Sequence, residues 1–287
     1  MSTEVAPTAT LARCHRNYVE GFWQYTKSTP GARRRPLGRS TLLRCGIGSP
    51  TANVWFLEDP GEDLVAAFGE ARAFFGPRHP WRVIALGPRA DEVGRVAVGH
   101  RMAPTAPEPG MILDPIPNVP PPSAGLEVRT VRSAAELHDF GTAWCAGFGI
   151  PRFIFRLVLP SVLPDDGQYG VQNRFLVGYA DGRPVACSSV IVTEGVAGVV
   201  SVATTRPARG RGFGTAMTWR AVEEGQCLGA DVAYLAATAM GLPVYTRMGF
   251  RKVADYPTWS TPVGSFRQLQ LLFQMWRLAR GRAAPGP

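Results

Sequence analysis

Arg209-Gly210-Arg211-Gly212-Phe213-Gly214-Thr215 stands between a β-rich run, Val196 to Thr204, and an amphipathic stretch that reads as a helix as far as Gly229. Amides of a first helical turn have no partner inside the helix, and the helix dipole adds partial positive charge there. Glycines let the main chain approach a ligand without a Cβ in the way. The two arginines add charge-assisted hydrogen bonds for phosphate oxygens. Strand, glycine turn and helix in that order describe a cradle for a pyrophosphate. The helix that follows is expected to bury Phe213, Ala216, Met217, Ala221 and Cys227.

Outward from this loop, the C-terminal half parses into alternating elements. Leu126 to Thr130 alternates as a strand, and Ser133 with Glu136 is a capping box that opens a helix through Phe148. A second helix is expected over Ile150 to Val162. Arg174 to Ala180 and Pro184 to Thr193 form a hairpin around Asp181-Gly182, and Glu194-Gly195 turns the chain into Val196 to Thr204. Asp231 to Ala237 is a buried strand. Gly241-Leu242-Pro243-Val244-Tyr245-Thr246-Arg247-Met248 is a short helix, and Phe250 begins a last antiparallel region.

Two motifs in this order and separation resemble the GNAT superfamily of acetyl-CoA-dependent N-acyltransferases. The first is Val202-Ala203-Thr204 followed by Arg209 to Gly214; the second runs from Ala237-Thr238 through Tyr245 to Gly249-Phe250. The likeness covers about Leu126 to Trp259. It implies an α/β (α+β) fold with a mixed, mostly antiparallel sheet flanked by helices. It also implies acetyl-CoA as acyl donor, with no metal, and a small-molecule or peptide amine as acceptor. Carried over by position, Arg209, Gly210, Arg211, Gly212, Phe213, Gly214 and Thr215 hold the pyrophosphate. Val202, Ala203 and Thr204 pair with the pantetheine arm in a splay between neighbouring strands, opposite Thr238. Tyr245 is the general acid: its phenol, with an ordinary pKa of about 10, stays protonated at neutral pH and can reprotonate a thiolate. The bland alternative for Tyr245 is a core aromatic, and for the arginines a solvated loop. Arg247 reads as surface. Ser201 reads as a substrate contact or a small residue in a tight layer. No general base is identified, since Asp165, Asp166 and Glu194 read as solvated loop charges.

The N-terminal half reads as a worn copy. Shifted by 150 residues, Gly99-His100-Arg101 falls on Gly249-Phe250-Arg251, and Trp81 to Leu86 falls near the strand at 231–236. The helix Asp63 to Phe75 then matches the helix after the glycine loop, with Asp59 opposite Arg209 and Arg95 in place of Tyr245. Asp59, Glu62 and Asp63 would repel a pyrophosphate, and Pro60 removes a donor. The expected division is therefore 1–115 as a degenerate copy, 116–124 as a proline-rich linker, 125–265 as the competent domain and 266–287 as a basic amphipathic tail. Pro104 to Gly125, with seven further prolines from Pro107 to Pro122, reads as an extended connector.

Composition narrows the remaining classes. A chain of 287 residues with 45% hydrophobic content suits two soluble domains. No run approaches the ~18 apolar residues of a membrane span, and the N-terminus has no signal-peptide pattern, so a cytoplasmic protein is expected. The net charge of +9 is nearly all arginine, with Lys27 and Lys252 the only lysines, which suits a polyanionic ligand such as CoA. Nucleic acid is not expected: a single glycine-arginine loop inside a folded pattern is a poor RNA element. The five cysteines and four histidines are scattered, which argues against disulfides, a catalytic thiol or a metal site. A dinucleotide site fails on glycine spacing. The competing reading is a non-catalytic acyl-CoA-binding module. The tail, from Phe266 to Arg282, reads as a core cap or homodimer contact, with a membrane or partner contact as the alternative.

Overall fold

The computed structural model describes residues 8–29, 31–59, 61, 63–121, 124–158 and 171–264. The tail from Phe266 onward, Asp165 and Asp166 lie outside the described residues. In chain order, helix α1 spans Thr8–Thr26, and strands β1, β2 and β3 span Arg33–Leu37, Ser40–Arg44 and Val54–Leu57. Then come α2 (Leu64–Phe75), β4 (Arg82–Ala85), α3 (Ala90–Gly99) and β5 (Ala103–Leu113). The second half contains β6 (Glu127–Thr130), α4 (Ala134–Phe148), α5 (Arg152–Val158), β7 (Gln172–Ala180), β8 (Arg183–Thr193) and β9 (Val196–Thr204). It closes with α6 (Phe213–Cys227), β10 (Val232–Ala236), α7 (Leu242–Arg247) and β11 (Arg251–Ser260).

Local chemistry sets most of these boundaries. Ser133 Oγ accepts from Glu136 N (3.2 Å), and the Glu136 carboxylate accepts from Ser133 Oγ (3.0 Å) and Arg132 N (2.8 Å), which caps α4 from both sides. Burying few of its own atoms, Glu136 is still held below the ordinary carboxylate range by these donors, the Arg132 amide first. The β7–β8 turn places Asp181 and Gly182 at φ +51° and +70°, and the β8–β9 turn places Glu194 and Gly195 at +48° and +72°. Two successive left-handed residues match the twist of a hairpin.

The chain condenses into two compact units that are not its two sequential halves. One unit gathers Pro109–Phe155, the described residues of Ser161–Ala254, and the N-terminal helix as far as Gly21. Its strands run β5-β10-β9-β8-β7-β6, antiparallel except for the parallel β9–β10 pair. The other unit, built on Phe22–Glu108 and the chain from Asp255, has the order β1-β2-β3-β4-β11, antiparallel except for the parallel β3–β4 pair.

The same strand-helix-strand-helix-strand order therefore occurs twice, β3-α2-β4-α3-β5 and β9-α6-β10-α7-β11, with the last strands exchanged. Tyr234 of β10 pairs with Ile112 of β5, while Trp259 of β11 pairs with Val83 of β4. This exchange corrects the connector expected over 104–125. The stretch Ala103–Leu113 is a strand whose last five residues are buried and whose first five are exposed. Prolines at 107 and 109 are tolerated because only alternate residues of a strand present N–H groups to a given neighbour.

Helix α1, absent from the sequence reading, is fastened to the β8–β9 hairpin by polar contacts. Asn17, 2% exposed, donates through Nδ2 to Ile191 O (2.9 Å), Val196 O (2.9 Å) and Thr193 Oγ1 (3.0 Å). A Cβ on Gly198 would collide with the Asn17 amide, so glycine is needed there for approach. Arg13 Nε donates to Glu194 O (2.7 Å), and Arg16 pairs with the Glu194 carboxylate at 2.6 Å. Asn17→Ala would strand two buried carbonyls, at a cost of about 2–4 kcal/mol. In a chain of this size a thermal midpoint lowered by roughly 3–7 °C is expected. A calorimetric scan showing a midpoint within 1 °C or so of the parent would refute the fastening role.

Candidate functional site

The core of the first unit is built by β9 and α6 together: Phe213, Met217, Ala221 and Val222 pack on Ala197, Val199 and Val190. The buried stripe of α6 is Met217, Thr218, Ala221, Val222 and Gly225, following Phe213. Ala216 is half-buried and packs against this core, while Cys227 is exposed, which corrects one of the five positions expected on that face. The other four cysteines are buried. Burial pushes the Cys14 and Cys45 thiols up to about 12, so neither is a nucleophile at neutral pH.

Beyond Thr204 the chain makes a short 3-10 turn, Arg206–Ala208, and then the glycine loop. Gly210 and Gly212 sit at φ +77° and +78°, and a Cβ at either would meet nothing within 4 Å. Conformation, not crowding, is therefore what requires glycine at these two positions. Gly212 is the N-cap of α6 and offers no side-chain cap. The first amide of the helix that donates is Ala216 N, to Gly212 O at 3.1 Å. Among the described residues, the amides of 210–215 have no acceptor. N–H groups without acceptors at a helix start present partial positive charge, the chemistry that suits an anion.

The arginines of the loop do different things. Arg209 donates from Nη2 to Gly147 O (2.9 Å) and from Nε to Thr204 O (3.2 Å), so two of its three guanidinium nitrogens tie the loop to α4 and β9. Arg211 lies over the Phe213 ring at 4.5 Å and is exposed. Sequence reasoning treated the two as equivalent phosphate ligands; the structure gives Arg209 a positioning task as well.

β9 leaves its parallel neighbour early. Val196, Ala197 and Gly198 pair with Val232, Ala233 and Tyr234, and there the registered pairing stops, although β9 continues to Thr204 and β10 to Ala236. The departure coincides with a bulge against β8, between the pairs Ser189–Val200 and Cys187–Ala203, and with Ser201 at φ +58°. A left-handed conformation in a non-glycine strand residue is strained and needs support. Here Ser201 Oγ accepts from Trp144 Nε1 (3.2 Å) and Ser201 O accepts from the Cys187 thiol (3.4 Å). Helix α4 is pressed against the same stretch, since a Cβ on Gly147 would fall 2.6 Å from the Ala203 Cβ. Thr205 N donates to Val185 O (2.9 Å), so by strand alternation Thr204 and Val202 direct their main-chain polar groups to the opposite edge, away from β8. Trp144 and Gly147 were not singled out in the sequence; only the non-local bulge gives them meaning.

Tyr245 lies on α7, half-buried, with its ring edge-on to Phe250 at 5.9 Å. Gly241 makes room for it: a Cβ there would lie 2.7 Å from Tyr245 Cε2. Burial pushes the phenol above its ordinary value, partly opposed by a hydrogen bond with the Thr218 side chain on α6. Thr218 Oγ1 donates to Gly214 O (2.9 Å), in the first turn of the helix that opens at the glycine loop. Thr238 is exposed; its Oγ1 accepts from Gly241 N (3.1 Å) and its carbonyl accepts from Leu242 N (2.9 Å), which starts α7. Glu194 is exposed in its turn, as expected, and is paired as well. The Arg16 guanidinium holds its carboxyl below the usual range, in the turn at the start of β9, the end away from Thr204.

The corresponding place in the other unit is closed. β3 and β4 stay paired from Val54–Arg82 to Leu57–Ala85, and Leu86 N extends the ladder to Leu57 O at 2.8 Å. A Cβ on Gly87 would collide with the Glu58 carbonyl, so these strand ends are sealed against each other. Asp63 caps α2 itself, its carboxylate accepting from Ala66 N at 2.8 Å. The slot and the open cradle are thus both missing where sequence comparison placed a carboxylate-filled copy.

The profile of the Acetyltransferase (GNAT) family matches residues 153–250. No curated protein sequence matches the chain. Among solved structures, a GCN5-related N-acetyltransferase from Kribbella flavida is 20% identical, with a TM-score of 0.68 over 90% of this chain and 98% of that one. A GCN5-related N-acetyltransferase from Sphaerobacter thermophilus is 15% identical, with a TM-score of 0.56 over 89% and 94% of the two chains. A tandem GNAT protein from the clavulanic acid biosynthesis pathway is 15% identical, with a TM-score of 0.51 over 82% and 86%. At these identities the likeness establishes the fold.

Proposed function

We propose that this chain, whose residues 153–250 match the GNAT acetyltransferase profile, moves an acetyl group from acetyl-CoA to a primary amine by direct attack in a ternary complex. The observation that carries this reading is the early end of the β9–β10 pairing at Gly198, beside a helix start whose amides 210–215 have no acceptor among the described residues. A slot one strand wide and an anion cradle at its mouth are what a long thioester with a diphosphate needs. The donor supplies an activated acyl group on sulfur. Everything else falls to the chain.

The amides of 210–215 and the Arg211 guanidinium grip the diphosphate, while Arg209 holds the loop against Gly147 and Thr204. The outward main chain of Val202 and Thr204 aligns the arm, and the Val202 N–H polarises the thioester oxygen. As the new C–N bond forms and the C–S bond breaks, the amine nitrogen loses a proton to water, Tyr245 gives its phenolic proton to the departing thiolate, and the phenol recovers one from solvent. The unit containing β3 and α2 does not take the donor, because its slot is paired shut and Asp63 fills its cradle.

Thiol release from acetyl-CoA, followed colorimetrically with and without a panel of primary amines and amino-terminal peptides, tests the reaction. Expected is release that requires an amine and matches acetylated product mole for mole. Calorimetric binding of acetyl-CoA with no amine-dependent thiol would favour a non-catalytic acyl-CoA-binding module instead.

A further inference from the structure

The unit that cannot take the donor contains a cavity of its own. It measures about 1060 Å³ and lies between the end of α2, the start of β4, the end of α3 and the chain just after β11. Four of its lining residues carry basic side chains, Arg72, His79, His100 and Arg101, and no acidic residue lines it among the described residues. Neither Arg72 nor Arg101 makes an ion pair among the described residues. Two guanidiniums without ion-pair partners around one hollow repel each other, and a bound anion relieves that repulsion.

The walls are bare and the floor is aromatic. Gly69, Gly76 and Gly99 line the cavity, and a Cβ at any of them would meet nothing within 4 Å. Trp81 stacks on Phe75 at 5.0 Å with 13° between planes, and His100 stacks on Phe68 at 5.1 Å with 24°. His79 Nδ1 donates to Phe75 O (2.9 Å), which leaves Nε2 as its remaining polar atom.

Arg101 is the most informative residue here. It stands just beyond α3 at φ +60°, with Arg101 N donating to Val98 O (2.9 Å) and Met102 N to Ala97 O (3.0 Å). This is a helix stop whose left-handed position normally goes to glycine. After α7, the matching helix of the other unit, the same two bonds run from Gly249 N to Thr246 O (3.1 Å) and from Phe250 N to Tyr245 O (3.0 Å), and glycine does hold that position. An arginine kept in a strained conformation at the rim of a basic cavity points to a ligand for its side chain.

We propose that this cavity binds a planar organic anion, its ring against Trp81 and His100 and its carboxylate or phosphate between Arg72 and Arg101. The site is separate from the acyl-transfer slot and does not depend on it. Benzoate and phenyl phosphate are suitable probes, with neutral benzamide as the control, titrated into the full chain by calorimetry or ligand-observed NMR. Binding of at least one anion, roughly tenfold or more tighter than benzamide, is expected; the two anions separate a carboxylate from a phosphate preference. Arg101→Gly should abolish it, and this variant relaxes the left-handed position, so misfolding does not confound it. Arg72→Gln should weaken it about tenfold, while acetyl-CoA affinity stays unchanged in both. Equal binding of benzamide and the anions, anion binding unchanged in Arg101→Gly, or no binding of either anion at millimolar concentration would overturn the proposal.

Discussion

Replacing Gly212 with aspartate is expected to abolish acetyl-CoA binding while leaving the chain folded. Gly212 caps α6 at φ +78°, with open space where a Cβ would go, so the added side chain clashes with nothing. Aspartate tolerates the left-handed region better than most residues, at a cost of about 1–2 kcal/mol. Its effect on the ligand is larger. A carboxylate about 4 Å from a diphosphate charge, at an effective dielectric near 20, repels it by about 4 kcal/mol, close to a thousandfold in affinity. The new carboxylate also competes for the amides that the ligand needs, as Asp63 does at the start of α2, where it accepts from Ala66 N at 2.8 Å. The substitution thus gives the open cradle the chemistry of the closed one. Gly212→Ala is the control: it carries the conformational cost without the charge, and about tenfold or less should be lost. Titration calorimetry on both variants decides the matter. An aspartate variant that melts normally and binds with parental affinity would show that the diphosphate sits elsewhere.

How much of this was legible in the sequence depends on whether the signal was local. The glycine turn that opens α6, the two hairpin turns and the Ser133–Glu136 cap follow from a few neighbouring residues each, and all appear where they were expected. The slot was expected only through family likeness. What the structure contains there, the bulge at Ser201 and the end of registered pairing at Gly198, depends on three strands together and leaves no pattern in any one of them. The exchanged strands were hidden for a related reason. β5 is exposed over its first five residues and carries prolines there, so its edge-strand half looks like a linker, and only the buried Gly110 to Leu113 pairs with β10. Helix α1 was missed because what fastens it to the β8–β9 hairpin is polar and distant in sequence: Asn17, Arg13 and Arg16 address carbonyls and a carboxylate far along the chain. The tandem arrangement came through because the spacing of α2, β4 and α3 repeats that of α6, β10 and α7 in the sequence itself.

Tyr245→Phe should slow turnover about a hundredfold and leave acetyl-CoA affinity nearly intact. The ring stays, so the edge-on contact with Phe250 at 5.9 Å and the fit over Gly241 survive, and stability should change little. Only the hydroxyl goes, and with it the proton for the leaving sulfur; loss of a positioned general acid typically costs 10²–10⁴ in rate. The pH profile supplies a second readout. Burial raises the Tyr245 pKa above the ordinary phenol value of about 10, and the acid works only while protonated. Acyl transfer by the parent chain should therefore hold through neutral pH and fall only above about 10. In the phenylalanine variant the residual rate should lack that basic limb, because the group that titrates there is gone. Pre-steady-state thiol release compared with steady-state turnover separates chemistry from product release. A variant with parental turnover and an unchanged basic limb would remove Tyr245 from the reaction, returning it to the role of a ring that packs α7 against α6.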